Sequence, residues 1–407
     1  MTIAEDSISL HKKLRGKISI RSKRKIKSKR DLSLLYTPGV GAVCKEIAQK
    51  KELIFSYTSR WNLVAVLTVG SAILGLGNLG PEAALPVMEG KAILFKEFGG
   101  VDAFPICLKT QVQEGIVQIA EALEPTLGGI NLEDISAPRC FEIEAALKER
   151  LRIPVFHDDQ HGTAIVALAA FINACKITNK NMSEVKIVIN GAGSAGIAIA
   201  KFFHNWGCRN LVVCDSKGVI SSQRTDLNKA KQEILAFTNP ERLSGSLQMA
   251  LKGSDVFIGV SSANILTAQD IRSMAKEPIV FALANPDPEI TPSEARRGGA
   301  AIIATGRSDF PNQINNVLAF PGIFRGALDV EAEQINEEMK SAAAQAIADL
   351  VSSRELDKGI VVPSALDRSV GLAVGLATAR AACKSGVARL QLSDNALKSK
   401  IKKNLRL

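Results

Sequence analysis

Two periods of hydrophobic and polar residues alternate along most of the chain and predict an α/β protein. Short apolar runs bounded by Gly, Pro or polar clusters are typical of buried strands, and apolar positions at helical spacing lie between them. The apolar runs predict strands at 63–68, 101–106, 129–132, 154–156, 255–260, 279–283 and 301–304, and two more flank a glycine-rich stretch near residue 191.

Amphipathic spacing predicts the helices between these strands. A helix that begins near Pro81 carries Lys91. Near the C-terminus we expect one long helix at 329–356 and a final helix at 369–383. Residues 1–30 are poorly patterned, with only a strand-like ISI at 18–20. From Asp31 the pattern tightens, and a Pro38-Gly39 turn precedes an amphipathic helix through Val43 and Ile47.

The stretch 185–215 joins an apolar run, three glycines in GxGxxG spacing, a helical pattern and a second apolar run that ends in an acid. In dinucleotide-binding folds these glycines allow a tight turn, a close approach of the backbone to a pyrophosphate and close helix packing. The alternative is a glycine-rich turn that binds nothing. The residues predicted to bind the dinucleotide here are Gly191, Gly193, Ser194, Ala195, Gly196 and Asp215.

Strands alternate with helices on both sides of this motif, so we predict two α/β domains. Residues 1–160 form a smaller substrate and metal domain, which includes a basic segment at 1–30. Residues 161–385 form a Rossmann-type, doubly wound sheet domain. Residues 386–407 form a basic C-terminal tail.

The net charge of +10 is concentrated at the two ends of the chain. Residues 1–30 hold 11 Lys or Arg against two acids, and residues 398–407 hold five basic residues and no acid. Such runs can contact polyanions or an acidic membrane surface. Because no aromatic residue interleaves the densest run at 21–30, we interpret it as solvated surface and predict no nucleic-acid or membrane partner.

The cysteines and histidines argue against a zinc site. Seven dispersed cysteines contain no CxxC pair and indicate a reducing compartment, which we expect to be the cytoplasm. The longest apolar run, 63–77, is short and contains three glycines, so we expect neither a membrane span nor a secretion signal. We expect His157 and His161 to support the structure and not to bind a metal ion directly, because imidazole binds hard cations such as Mg²⁺ less well than oxygen ligands do.

Two pairs of adjacent acids follow predicted strands: Glu133 and Asp134 after GGINL, and Asp158 and Asp159 after PVFH. The carboxyl ends of parallel strands meet at one edge of a sheet, so these carboxylates can converge. An all-oxygen set favours Mg²⁺ or Mn²⁺. The alternative for either pair is a helix N-cap.

Eight segments of the chain, in order, resemble the successive motifs of malic enzymes, above all the compact bacterial form. They are DLSLLYTPGV, ILGLGNLGPEAALPVMEGKAILF, GVDAFPICL, INLEDI, PVFHDDQHGTA, NGAGSAG, FALANPDPEI and FPNQINNVLAFPGIFRGALD. The resemblance runs from about Gly16 to beyond Arg380. It implies oxidative decarboxylation of (S)-malate to pyruvate and CO₂ with NAD or NADP and Mg²⁺ or Mn²⁺, and a homodimer.

The resemblance also implies three catalytic residues. Tyr36 matches the tyrosine of the family's YTPG motif, which protonates C3 of enolpyruvate. Lys91 matches the lysine that acts as general base or works with that tyrosine. Asp158 matches an acid that helps to arrange the site. For such proton transfer near neutral pH we expect the surroundings to lower the pKa of Lys91.

The metal and substrate ligands follow in the same way. Glu133, Asp134 and Asp159 match the family's metal ligands. Asn285 and Asn316 match amides that hold the substrate, and Asn285 is also assigned to the cofactor site.

The chain departs from the family pattern in the loop ahead of GLGNLG. Val69 stands where many relatives have an acid or amide, which puts the hydrogen bonds of the loop in question. Ala72 stands where the eukaryotic branch has a carboxylate-binding arginine, a difference usual for the compact form. We therefore expect another carboxylate partner, with Arg307 as the candidate.

Several alternatives stay open at this point. A malolactic enzyme or an oxaloacetate decarboxylase would keep the same residues. A different kind of protein, a cofactor-binding regulatory protein with weakened catalysis, is also an alternative. Asp215 favours the free 2′-hydroxyl of NAD, whereas Lys217 can accept the 2′-phosphate of NADP.

Overall fold

The fold is built on two separate sheets, as the alternating pattern predicts. The computed structural model describes residues 2–407, so Met1, the first residue of the predicted basic segment, lies outside the described residues. The strands are β1 Leu63–Thr68, β2 Asp102–Cys107, β3 Gly129–Leu132, β4 Val155–His157, β5 Lys186–Asn190, β6 Asn210–Asp215, β7 Gly218–Val219, β8 Val256–Gly259, β9 Ile279–Ala282 and β10 Ile302–Thr305.

Helices cover and connect the sheets. They are α1 Ile3–Leu14, α2 Lys29–Leu35, α3 Val40–Gln49, α4 Leu53–Tyr57, α5 Pro81–Gly99, α6 Gln113–Leu123, α7 Arg139–Arg150, α8 Thr163–Ile177, α9 Ser194–Trp206, α10 Lys229–Ile234, α11 Leu247–Leu251, α12 Ala268–Arg272, α13 Pro292–Arg297, α14 Phe320–Asp329, α15 Glu337–Asp349, α16 Ser353–Leu356, α17 Ser369–Lys384 and α18 Asp394–Leu405. Of the helices within residues 2–407, none combines the length and apolarity that a bilayer crossing needs.

The first sheet has four parallel strands in the order β2-β1-β3-β4. Strands β1, β3 and β4 are almost entirely buried, which explains why they read as continuous apolar runs. The strand order reverses between β1 and β3, so a crevice opens at the carboxyl ends of these two strands. Glu133 and Asp134 follow β3 at this crevice.

The second sheet has the order β10-β9-β8-β5-β6-β7, in which β7 is a short antiparallel edge strand. Its order reverses between β5 and β8, the position at which doubly wound sheets bind dinucleotides. The structure thus confirms the predicted Rossmann-type sheet after a smaller α/β unit. Helix α8 lies in the large apolar core, and every residue from Ala164 to Cys175 is buried.

The prediction of one long helix at 329–356 is wrong. Three helices, α14, α15 and α16, lie in and around this range, and polar caps separate them. The Asn336 side chain accepts a hydrogen bond from the Met339 backbone at the start of α15. Ser352 and Glu355 form a capping box at the start of α16. These caps satisfy helix N–H groups and so stabilise breaks within an apolar pattern that continues across them.

Both ends of the chain hold helices that the sequence pattern did not predict. Helix α1 forms within the basic segment, starts at a Thr2–Glu5 capping box and buries no residue. The predicted strand at 18–20 does not form. In the predicted basic tail, α18 packs beside α17 and α14 with Leu397 and Ile401 buried, and Lys400 donates to the Asp329 carbonyl at 2.7 Å.

Candidate active site

Three carboxylates converge at the carboxyl edge of the first sheet. Glu133 and Asp134 follow β3, and Asp159 lies in a π-helical turn, Asp158–Gly162, that follows β4. One oxygen from each of the three lies within 4.8 Å of the others. The structure thus brings together the three residues that the resemblance implied as metal ligands.

Lys91 lies on α5 and points at the same carboxylates. Its Nζ is 2.6 Å from Asp158 Oδ2 and 3.0 Å from Glu133 Oε1. Lys91 and Asp158 are both buried. The Lys91 ammonium also lies 4.6 Å from the centroid of the Phe320 ring on α14, which closes the site on one side. Lys91 is therefore a buried ion-pair partner and not a solvated helix lysine.

Burial and crowding change the protonation of this cluster. Burial, together with the charges of Asp159 and Glu133, raises the pKa of Asp134 to about 8. Burial also raises the pKa of Asp158 to about 6, although the neighbouring Lys91 opposes that rise. Several buried carboxylates with one ammonium favour the uptake of further positive charge, either as protons or as a cation.

Burial alone would lower the pKa of Lys91, but the carboxylates of Asp158 and Glu133 outweigh it and raise this pKa above its ordinary value. The expectation of a lowered pKa for Lys91 is therefore wrong for the metal-free protein. A cation that neutralises Glu133 would remove part of this stabilisation of the ammonium.

Polar neighbours hold the carboxylates in place and leave specific oxygens free. The Asn131 amide donates to Glu133 Oε2 at 2.8 Å, and the Asp134 backbone N–H donates to Asp159 Oδ2 at 2.9 Å. The Asn316 amide donates to Asp158 Oδ2. Within the described chain, the buried oxygens Asp134 Oδ2 and Asp158 Oδ1 lack hydrogen-bond partners. An all-oxygen cluster with an unpaired buried oxygen on Asp134 fits a hard divalent cation.

Among the described residues, the cluster of Glu133, Asp134 and Asp159 includes neither histidine, although His157 Nδ1 lies 3.9 Å from Asp159 Oδ2. His161 Nε2 lies 2.8 Å from Glu144 Oε1 on α7, and its Nδ1 lies 3.2 Å from Lys340 Nζ on α15. Burial lowers the pKa of His161 to about 4, so the ring is neutral at pH 7. Through His161, the Asp158–Gly162 turn is thus connected to α7, which follows the first sheet's β3, and to α15, which follows the second sheet. Sequence reasoning missed Glu144 and Lys340, because neither lies in a motif.

The loop after β1 keeps its hydrogen bonds despite Val69, whose side chain is buried. Thr68 Oγ1 accepts from the Gly70 backbone at 2.9 Å, and Ser71 Oγ accepts from the Ser136 backbone at 3.0 Å. The backbone N–H of Ser71 also donates to the carbonyl of Asp134 at 3.1 Å. Neighbouring hydroxyls and backbone groups thus hold this loop beside the metal cluster.

The glycine motif has the geometry that its spacing predicts. Gly191 has φ +113°, and a Cβ on it would lie 2.5 Å from the Val260 carbonyl oxygen. A Cβ on Gly196 would lie 1.6 Å from the Gly191 carbonyl oxygen. Gly193 faces open space, because a Cβ on it would meet no atom within 4 Å. The unpaired N–H groups at the start of α9, including those of Ser194 and Ala195, lie beside this space and fit a pyrophosphate.

Helix α9, which begins within the glycine motif, packs against the Asp158–Gly162 turn, so this helix lies next to the carboxylate cluster.

At the far end of this motif, Asp215 forms ion pairs with Arg224 and Lys231. Burial of Asp215 opposes ionisation, but the hydrogen bonds from Arg224 and Lys231 are stronger in effect and lower its pKa to about 2. Asp215 is thus a charged carboxylate with cationic neighbours at the end of β6.

Asn285 and Arg307 lie outside the carboxylate cluster. Asn285 is exposed after β9, near Gly306. The Arg307 guanidinium donates to both Asp309 oxygens at 2.8 Å and lies 3.4 Å from Asp287. We expected the Arg307 guanidinium to bind a substrate carboxylate, but it already pairs with Asp309 and Asp287.

Tyr36 does not join the buried carboxylate cluster of its own chain. It caps the C-terminus of α2, and its side chain is 66% exposed. No residue of α1 to α4, all of which the structure describes, is buried. These helices form an arm of largely exposed residues, which contacts α5 where the Lys17 ammonium donates to the Pro86 carbonyl at 2.7 Å. The catalytic role of Tyr36 stays a prediction.

Comparisons with known proteins agree with this site. A family model for the "Malic enzyme, N-terminal domain" matches residues 15–148, and one for the "Malic enzyme, NAD binding domain" matches residues 160–383. A bifunctional malic/malolactic enzyme of Bacillus subtilis (strain 168) is 55% identical over 404 residues, which cover 99% of this chain and 98% of that protein.

An NAD-dependent malic enzyme of Geobacillus stearothermophilus is 55% identical over 374 residues, which cover 92% of this chain and 78% of that protein. The crystal structure of malic enzyme from Pyrococcus horikoshii Ot3 superposes with a TM-score of 0.94 at 44% identity, covering 100% of this chain and 96% of that one. Two family models that together span most of the chain, and relatives of this identity and coverage, show that the chain belongs to the malic enzyme family.

Proposed function

We propose that the chain oxidatively decarboxylates (S)-malate to pyruvate and CO₂ while it reduces NAD(P)⁺. The observation that carries this proposal is the cluster of three convergent carboxylates beside Lys91 and Asp158, next to which helix α9 of the glycine motif packs. Glu133, Asp134 and Asp159 would hold Mg²⁺ or Mn²⁺, which supplies positive charge next to the C2 hydroxyl and C1 carboxylate of malate. The nicotinamide cofactor supplies the hydride acceptor.

The residues of the chain then have separate tasks. The Lys91 ammonium can pass a proton to Asp158 Oδ2, which is 2.6 Å away, and the neutral amine can then take the proton that the C2 hydroxyl loses. Asn316 holds Asp158 in position through its amide. Asn285 follows β9 at the edge of the cleft, where we assign it to the cofactor and the substrate. Tyr36 is assigned to protonation of C3 after CO₂ has left.

A test of this function follows the absorbance of the reduced nicotinamide with malate, Mn²⁺ and each cofactor in turn, and identifies the products. Malate-dependent reduction with formation of pyruvate supports the proposal. Excess EDTA should abolish turnover and Mg²⁺ or Mn²⁺ should restore it; full activity in EDTA would contradict the metal assignment. Lactate formed without net reduction of the cofactor would instead indicate a malolactic enzyme.

We also propose that the active form is a homodimer in which the arm of one subunit reaches the site of the other. The arm, residues 2–57, exposes the apolar side chains Leu32, Leu34, Leu35, Val40 and Val43 around Tyr36. The loop beside the metal cluster exposes Leu74, Leu76 and Leu79. In a symmetric dimer the arm of one copy can cover the loop of the other, which buries both exposed apolar surfaces.

The seven cysteines are free thiols, and four of them are buried. This agrees with the reducing compartment expected from the sequence, and we propose a cytoplasmic location.

A further inference from the structure

The π-helical turn Asp158–Gly162 needs support from outside itself. Turns of this kind are rare, and among residues 2–407 no side chain caps its start at His157. The turn also brings Asp159 within 4.8 Å of the carboxylates of Glu133 and Asp134. Like charges repel at such distances. Before a cation binds, Asp159 therefore stays in place only if other contacts hold the turn.

His161 provides such contacts, because both of its ring nitrogens face charged groups. Its Nε2 lies 2.8 and 3.0 Å from the two carboxylate oxygens of Glu144, and its Nδ1 lies 3.2 Å from Lys340 Nζ. An ammonium can only donate a hydrogen bond, and an ionised carboxylate can only accept one. His161 therefore accepts at Nδ1 and donates at Nε2, so an uncharged ring joins a cation on one side to an anion on the other.

The two charged partners are themselves buried and fixed. Glu144 on α7 is 6% exposed, and Lys340 on α15 is 4% exposed. The His157 backbone N–H, just before the turn, donates to Glu144 at 3.4 Å, and Lys340 also pairs with Glu337 on its own helix. Helix α15 packs against α8, which begins directly after the turn. Glu144 thus contacts the chain at both ends of the turn, and Lys340 connects the turn to the second domain.

We propose that Glu144, His161 and Lys340 position the metal site without binding the metal themselves. They hold the Asp158–Gly162 turn so that Asp159 meets the other two carboxylates around one cation. The inference rests on the proposed function only for the assignment of these carboxylates as metal ligands. A site whose ligands are already in place binds a cation more tightly, because no rearrangement opposes binding.

Two substitutions of His161 test the hydrogen bonds, with Mn²⁺ alone titrated into the full-length protein by calorimetry. His161→Phe keeps a planar ring but removes both hydrogen bonds, so Mn²⁺ binding should weaken about tenfold or more. His161→Gln keeps a donor and an acceptor on an uncharged side chain, so its Mn²⁺ affinity should stay within about threefold of that of the unsubstituted protein. Unchanged affinity in His161→Phe, or an equal loss in both variants, would overturn the proposal.

Two lysines beside Glu144 give a matched pair. Lys340 contacts the ring of His161, whereas Lys148 Nζ pairs with Glu144 at 2.7 Å, one helical turn away on α7, and is 30% exposed. By charge alone, removal of either lysine should strengthen the binding of a nearby cation. We expect the opposite for Lys340→Met, a loss of Mn²⁺ affinity of about fivefold or more, and no loss for Lys148→Met. Unchanged or tighter binding in Lys340→Met, or an equal loss in Lys148→Met, would contradict the positioning role.

Dinucleotide binding separates positioning from general damage to the fold. Thermal melts in EDTA identify the variants that are folded at the titration temperature, and His161→Phe and Lys340→Met are independent, so either one that folds is sufficient for the test. Their affinity for NAD⁺ or NADP⁺ without metal should match that of the unsubstituted protein. A parallel loss of dinucleotide and Mn²⁺ affinity would overturn the positioning role.

The same titrations distinguish this inference from the proposed reaction, because no malate is present. The expected pattern of Mn²⁺ affinities without malate turnover would support the positioning residues and contradict the reaction. Failure of the unsubstituted protein to bind Mn²⁺ would contradict the metal assignment and this inference together.

Discussion

Lys91 shows how one residue's surroundings decide its chemistry. Residue type and motif predicted a catalytic lysine, and the structure places its ammonium 2.6 Å from Asp158. The sequence could not predict the direction of the pKa shift of Lys91, because burial lowers this pKa and the nearby carboxylates raise it. Their balance depends on distances between side chains from α5, β3 and the turn after β4.

Lys91→Ala should lower kcat by about 10² to 10⁴, the usual range for loss of a general acid or base, and leave dinucleotide affinity nearly unchanged. Steady-state rates and dinucleotide titrations measure the two effects. Small primary amines should restore part of the rate if the missing amine is the defect.

The matched control is Lys96→Ala on the same helix, where the lysine pairs with Asp102 and is 42% exposed. It should keep near-normal kcat. A loss in Lys91→Ala no larger than in this control, at equal thermal stability, would remove Lys91 from the catalytic residues.

At the scale of elements, local spacing predicted the glycine turn well and the C-terminal helices poorly. The turn is determined within a few residues, because Gly191 needs positive φ and Gly196 needs close packing on that same turn. The break between α14 and α15 depends on a cap at Asn336, although the apolar spacing continues past it. A periodic pattern alone does not show where such a break falls.

Two alanine substitutions in the glycine motif should separate folding from binding. Gly196→Ala places a methyl group against the Gly191 carbonyl and should destabilise the fold by about 1–3 kcal/mol. Gly193→Ala meets open space, so its free energy of unfolding should stay near that of the unsubstituted protein, while dinucleotide affinity falls about tenfold or more.

Urea unfolding and dinucleotide titration give the two readouts for each variant. If Gly193→Ala bound the dinucleotide normally, the pyrophosphate would have to lie elsewhere in the cleft.

For the whole molecule, the proposed dimer predicts that the arm of one subunit completes the site of the other. Tyr36→Phe and Lys91→Ala subunits, each nearly inactive by itself, should regain activity when they are unfolded together and refolded as a mixture. Half of the dimers then pair one of each, and each such pair has one complete site, so about a quarter of the normal activity should return.

Steady-state rates of the refolded mixture are the measurement, and light scattering tests whether the protein is a dimer. Activity no greater than that of the separately refolded variants would mean that Tyr36 and Lys91 act within one subunit or that Tyr36 is not catalytic.

The carboxylate cluster should make the stability of the metal-free protein depend on pH. Burial and the neighbouring acids raise the pKa of Asp134 from 3.8 to about 8. Between these values the folded protein binds more protons than the unfolded chain, so stability falls as the pH rises through this window. A divalent cation favours the ionised form, so it should stabilise the protein more at high pH.

Melting temperatures at about pH 5 and about pH 8.5, each with EDTA or with Mn²⁺, test this pH dependence. Mn²⁺ should raise Tm clearly more at the higher pH. Asp134→Asn should lose most of that difference, and an equal effect of Mn²⁺ at both pH values would contradict the linkage.

The sequence by itself determined the features that depend on a few neighbouring residues. It specified the strands as apolar runs, the glycine turn through its steric needs, and the carboxylates at strand ends through the geometry of parallel sheets. Because the carboxyl ends of parallel strands meet, the sequence showed that the four acids after β3 and β4 can converge, and the family resemblance singled out Glu133, Asp134 and Asp159 as metal ligands.

Only the tertiary structure decided how distant residues act on one another. It brought Arg224 and Lys231 onto Asp215 and brought Glu144 and Lys340 onto His161. It also left Tyr36 exposed, whereas Lys91 is buried. Charge and burial depend on distances through space, and chain order does not contain those distances. The sequence therefore predicted the chemical groups, and the fold decided their partners and their protonation.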